Sequence, residues 1–181
     1  LTGWQDNGTN LKNGSSWSEV LGGDGMEAAI SPVNENIMYG EIYYGSISRT
    51  TNGSSWSNIV ASNGAAGTVG EQGAWVTPYV LGNPSTNMFV GKSTVYKSTD
   101  SGTTFTAMSA FGSGNINALA VAASDQNTIY ASKSASLYKT TNGSTFTLVT
   151  GLPNQTITYI AVHPTDPLRV WVTLSGYTAG S

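Results

Sequence analysis

Asp6, in Gln-Asp-Asn-Gly, and Asp24, in Gly-Gly-Asp-Gly, are the carboxylates whose setting most invites chemistry. Two carboxyl groups about 5–10 Å apart can cleave a glycosidic bond, one protonated as the acid and the other serving as base or nucleophile. Distributed through the first half of the chain are residues of a different kind: Trp4, Gln5, Glu27, Glu41, Tyr43, Tyr44, Glu71, Gln72 and Trp75. Aromatic rings stack on pyranose faces and carboxylates accept hydrogen bonds from hydroxyls, so this combination suits a sugar-binding surface. Each residue also has an architectural reading. Asp in a Gly-rich turn bonds neighbouring amides, and aromatics in a repetitive β structure pack between repeats. Both readings stay open at the level of sequence.

Composition removes several other chemistries. Charged residues are 9% of the 181 and the formal net charge is -3, so no basic stripe exists to neutralise a phosphate backbone and nucleic acid is not an expected partner. There is no cysteine, which excludes disulfides, thiolate metal sites and a cysteine nucleophile. His163 is the single histidine and has no clustered partner, so it reads as a turn residue rather than a metal ligand. No Gly-x-Ser-x-Gly elbow supports a serine nucleophile. Neither a metal nor a cofactor is expected. No apolar run approaches the roughly 20 residues of a membrane-spanning helix. A polar surface built from Ser, Thr, Asn and Gly suits a secreted or cell-surface bacterial protein, and Leu1, with no initiating Met or signal peptide, reads as a processing boundary.

The elements that must position these residues are repeats. One hairpin recurs as LKNGSSWS at 11–18, TTNGSSWS at 50–57, STDSGTTFT at 98–106 and TTNGSTFT at 140–147. Its aromatics, Trp17, Trp56, Phe105 and Phe146, are 39, 49 and 41 residues apart, the length of one four-stranded β-propeller blade. In phase with the hairpins run short apolar segments, MEAAIS at 26–31, TPYVLG at 77–82, NALAVA at 117–122 and TYIAVH at 158–163. Each is followed by a turn and a second apolar stretch, IMYG, MFVG, TIYA or RVWV. Such runs bounded by turn residues read as buried strands. Each repeat parses as strands A to D with no helix, the Asn-Gly or Asp-Ser-Gly turn joining C to D. The aromatic after that turn is expected to pack between blades.

These hairpins resemble the Asp-box of sialidases, sortilins, the photosystem II assembly factor and xyloglucanase-type glycoside hydrolases, whose pattern is Ser-x-Asp-x-Gly-x-Thr-Trp or Phe. Ser98, Asp100, Gly102, Thr104 and Phe105 match it fully, whereas the copies at 50–56 and 140–146 are one residue shorter and carry Asn52 and Asn142. With GWQDNGT at 3–9, GGDGME at 22–27 and SPVNENIMYGEIYYGSISRT at 31–50, the pattern also resembles large exported sortilin-like bacterial proteins over nearly the whole chain. The resemblance implies an all-β propeller and an exported protein. It implies activity less directly, because one fold carries many functions. A sialidase needs converging arginines to hold the sugar carboxylate. Arg49 and Arg169 are the only two here, so that activity is excluded for this chain.

The expected organisation is about four blade equivalents from a larger propeller: a partial blade at 1–20, blades at 26–60, 76–109 and 116–150, and a partial blade at 157–181. The first partial blade is expected to contribute strands C and D, and the last strands A and B. In a propeller the D–A and B–C loops share one face, which would gather Trp4, Gln5, Asp6, Asp24, Glu27, Glu41, Tyr43, Tyr44, Glu71, Gln72 and Trp75 opposite the Asp-box turns. The second repeat is longer by about ten residues, nearly all in the loop 62–75. The leading reading is a non-catalytic propeller segment that contacts glycan or protein; the alternative is a glycoside hydrolase acting through Asp6 and Asp24. A third is a purely architectural spacer.

Overall fold

The computed structural model describes residues 1–61 and 69–176. Their strands form five antiparallel sheets, each built in sequence order from neighbouring strands. The first has three strands, β1 (Thr2–Trp4), β2 (Gly8–Asn13) and β3 (Ser16–Leu21). Three four-stranded sheets follow. They comprise β4 (Gly25–Ile30), β5 (Met38–Ile42), β6 (Ser46–Thr50) and β7 (Trp56–Val60); β8 (Tyr79–Leu81), β9 (Met88–Gly91), β10 (Val95–Ser98) and β11 (Thr106–Ala107); and β12 (Ala118–Ala122), β13 (Asp125–Lys133), β14 (Ser136–Thr140) and β15 (Thr147–Val149). The last pairs β16 (Ile157–Val162) with β17 (Val170–Leu174).

The all-β, four-stranded blade pattern is the one expected, with two local differences. The first sheet has a third strand, because the turn at 5–7 lets Trp4 pair with Gly8 and Thr2 with Asn10. A 3₁₀ turn occupies Tyr43–Gly45, where the reading from sequence had no helix of any kind. It closes a three-residue connection between Ile42 and Ser46.

The core lies between consecutive sheets rather than within any one of them. Tyr39, Ile47 and Val60 meet Tyr79, Met88 and Val90 across the second and third sheets. Phe89 and Val95 meet Leu119, Ile129 and Phe146 across the next junction, and Tyr130 and Leu137 meet Ile157 and Ile160 across the last. Burying each such side chain contributes about 1.5–3 kcal/mol, so the second to fifth sheets depend on their neighbours. Phe105 and Phe146 behave as the hairpin aromatics should: the former packs on the first of these clusters and the latter lies 4.2 Å from Phe111 in the second. Trp17 differs. It is 47% exposed and packs on Trp4 of its own sheet, ring centroids 5.5 Å apart.

The recurrent hairpins are structural. In the full copy Asp100 Oδ1 accepts from the amides of Thr103 and Thr104 at 3.0 and 2.8 Å, Thr104 Oγ1 donates to Oδ2, and Ser98 Oγ accepts from the Gly102 amide. Asn52 and Asn142 reproduce the first two bonds through Oδ1, to Ser54 and Ser55 and to Ser144 and Thr145. The hairpin also joins sheets: Tyr39 Oη and Arg49 Nη1 both donate to the Ser101 carbonyl. Arg49 is thereby a structural residue. Arg169 pairs with Asp166 at 3.8 Å on the surface, and His163 Nδ1 accepts the amides of Thr165 and Asp166 within its turn.

Candidate functional site

The β1–β2 turn, the connection from β3 to β4, the β5–β6 turn and the approach to β8 converge on one face. Asp6 sits in the left-handed region (φ 62°) and its amide donates to Asp24 Oδ1 at 2.9 Å, while the Gly8 amide donates to the Gly23 carbonyl. The main chain of Asp6 is therefore held against the side chain of Asp24, its partner in the candidate acid–base pair, with one Asp24 oxygen occupied in fixing the turn. Close backbone approach makes this possible. A Cβ on Gly25 would lie 2.1 Å from the Gly8 carbonyl oxygen, and one on Gly3 would lie 1.9 Å from that of Met26.

Next to this pair stands an aromatic cluster. Tyr43 stacks on Trp75 with centroids 5.7 Å apart and planes at 17°, and Tyr44 meets Trp75 edge-on at 5.1 Å. Tyr43 is 37% exposed and Trp75 45%, so the stacked pair presents ring surface to solvent instead of filling a core. Gly23 lies near it: a Cβ there would be 3.7 Å from the Tyr43 ring, which connects the aspartate turn to the platform. The two loops are tied by the Tyr44 amide donating to the Trp75 carbonyl and the Gly73 amide donating to the Tyr44 carbonyl. Tyr44 itself adopts φ 61° and ψ 24°, a left-handed conformation that a bulky residue rarely takes. Glu71 accepts from the amide and hydroxyl of Ser93, Gln72 is exposed, and Trp4 ends β1 where Gln5 opens the neighbouring β1–β2 turn. Positions 62–68 of the long loop lie outside the described residues.

Beneath the platform lie two buried ionisable groups. Glu41 is fully buried on β5; its Oε1 accepts the Thr77 amide at 2.7 Å and its Oε2 has no hydrogen-bond partner among the described residues. Burial pushes its carboxyl up to about 8, against the pull of the Thr77 amide. Lys92, also fully buried, points its ammonium at four carbonyls, and burial lowers it to about 8 while the carboxylates of Glu41 and Glu71 oppose that shift.

Glu27 is placed elsewhere. It lines a cavity of about 530 Å³ between the first strands of four sheets, with Tyr79, Asn117, Leu119 and Tyr159. Although the residue is exposed overall, partial loss of water raises its carboxyl, with the Tyr79 backbone pulling the other way. Neither Asp6 nor Asp24 lines this cavity. Reading the sequence placed Glu41 on this face but missed Lys92. The signal available was the repeated Lys-Ser at the ends of β9 and β13, Lys92-Ser93 and Lys133-Ser134. Among the described residues no cluster of His, Cys, Asp and Glu could hold a metal ion.

No protein-family model matches the chain, and no curated protein matches it. Solved structures do. The GH74 enzyme of Niastella koreensis superposes with a TM-score of 0.62 at 22% identity, covering 88% of this chain and 28% of that one. An ancestral GH74 enzyme gives 0.59 at 14% identity, with 95% and 23% covered. The fold is a β-propeller. An auxiliary nutrient-binding protein from Bacteroides thetaiotaomicron gives 0.58 at 10% identity, with 83% and 36% covered. The chain thus spans about a quarter of the GH74 propeller enzymes it resembles, and at these identities the likeness concerns the propeller fold alone.

Proposed function

We propose that this chain is a non-catalytic recognition segment of a secreted or cell-surface bacterial protein, and that its loop face contacts glycan. The observation that carries the reading is the solvent-facing Tyr43–Trp75 stack, braced edge-on by Tyr44 in a strained left-handed conformation. Strain of this kind costs on the order of 1–3 kcal/mol and persists where surrounding structure imposes it, commonly at ligand sites. Stacked rings with acceptors on the adjoining segments, Asp24 after Gly23 and Glu71 in the loop that bears Trp75, suit the apolar face and hydroxyl rim of a sugar ring. Similarity to a nutrient-binding protein and to two GH74 enzymes is compatible with either recognition or hydrolysis, so the reading rests on the site.

The hydrolase reading draws on the approach of the Asp24 side chain to the Asp6 main chain, which sets the two residues on adjoining turns. It ranks second because Asp24 Oδ1 caps the turn and the pair stands outside the concave cavity. A screen of the purified chain against plant and bacterial polysaccharides, scoring retention and reducing-end release together, tests both. Retention lost in Trp75→Ala without release in the wild type is the expected result. Release abolished by Asp24→Asn would replace recognition with hydrolysis. Silence in both assays would leave the architectural spacer.

A further inference from the structure

We propose that Lys92 is the positioning residue of the aromatic platform, its ammonium holding the Tyr43–Gly45 turn and the loop leading to β8 in the geometry that stacks Tyr43 on Trp75. This rests on the reading of that platform as the contact surface. Lys92 begins the turn after β9, in the third sheet, yet every carbonyl it reaches belongs to the second sheet or the loop that leaves it. Its Nζ donates to Tyr44 O and Gly45 O at 3.0 Å, to Ala61 O at 3.2 Å and to Glu71 O at 2.9 Å. Three N–H donors shared among four carbonyls tie together the turn that bears Tyr43 and Tyr44, the end of β7, and the loop that bears Trp75.

The space for the ammonium is built by glycines. A Cβ on Gly45, which has φ 72°, would stand 2.6 Å from Lys92 Nζ, and a Cβ on Gly73 would stand 3.0 Å from Lys92 Cδ and 2.1 Å from Thr77 Oγ1. The titratable groups facing it are Glu41 from β5 and Glu71 from the loop. One sheet further on, Lys133 reaches back in the same way to Ser93 O and Phe111 O and lies over the Phe111 ring at 4.6 Å. The turn it holds carries no exposed aromatic stack, so Lys133 is a built-in comparison for Lys92.

The chain has no cysteine, so Lys92→Cys introduces a unique thiol that can be alkylated in the unfolded state before refolding. An S-aminoethyl group restores the length and charge of lysine; an S-propyl group restores the length alone. Hydrogen exchange is then read at the amides of Tyr44 and Gly73, which bond Trp75 O and Tyr44 O. The expected result is exchange at least about tenfold faster at these two amides in the S-propyl form, near wild-type exchange in the S-aminoethyl form, and no change at either amide in Lys133→Met. Unaltered exchange in the S-propyl form would overturn the proposal. So would loss of protection spread equally over β12–β15, or failure of that form to fold, since either marks a general core role. Retention on hydroxyethylcellulose is measured on the same forms. The exchange readout needs no ligand, so a chain that binds no polysaccharide defeats the glycan reading while Lys92 is still judged by exchange.

Discussion

Asp100 shows how one side chain can specify a turn. Its carboxylate accepts two backbone amides and the Thr104 hydroxyl, and the hydrogen bonds from Thr104 hold it down to about 2. Because the folded value is depressed, its contribution is present above the ordinary carboxylate range and is lost as pH falls through about 2. Asp100→Ala should destabilise by about 1–2 kcal/mol. Asp100→Asn should cost less, because Asn52 and Asn142 already do this work in the sister hairpins, and it should flatten thermal stability between pH 4 and pH 2, read by melting curves. Glu41 has the opposite sign. Its carboxyl is raised by burial, so its contribution is present below its ordinary range and is lost as pH climbs through about 8. For Lys92 the depressed value means that the cost of burying its charge is felt below about 8 and is relieved above it. Stability should therefore pass through a minimum near pH 8. Glu41→Gln should remove the fall on the acid side, on the order of a few kcal/mol, measurable by denaturant titration at pH 5 and pH 8.

Among the elements, the turns decide where the aromatics go. The β5–β6 turn needs a left-handed residue at position 44, a place for which Gly, Asn or Asp is the usual choice, and the chain puts tyrosine there. Tyr44→Gly should relieve about 1 kcal/mol of backbone strain while forfeiting the edge-on contact with Trp75. Melting temperature should move little and polysaccharide retention should fall, whereas a large loss of stability would mark Tyr44 as packing alone. At the junction of the first two sheets the backbones meet too closely for any side chain. Gly25→Ala would force its Cβ into the Gly8 carbonyl and should cost about 3 kcal/mol, read by chemical denaturation. It should also separate Asp6 from Asp24, since the same contact brings their turns together.

Across the whole molecule, the part most legible in the sequence was the repeat. Hairpin spacing, in-phase apolar runs and Asn-Gly or Asp-Ser-Gly turns determine an all-β stack of four-stranded sheets, because strand periodicity and turn chemistry are local properties that neighbouring residues carry on their own. The gathering of Asp6, Asp24, Tyr43, Tyr44, Glu71 and Trp75 on one face was also legible, since alternate loops of an antiparallel meander must emerge together. What only the tertiary structure decided is how those side chains are used. Asp24 caps the Asp6 amide, Tyr43 stacks on Trp75 in solvent, and Glu27 faces the cavity between the sheets instead of joining the platform. Lys92 passed unnoticed because a lysine in Gly-Lys-Ser looks like any exposed turn residue. Its partners are main-chain carbonyls at positions 44, 45, 61 and 71, contributed by segments far away in sequence. Carbonyls have no residue identity to leave in a sequence pattern, so a site built from them becomes visible only when the sheets are packed.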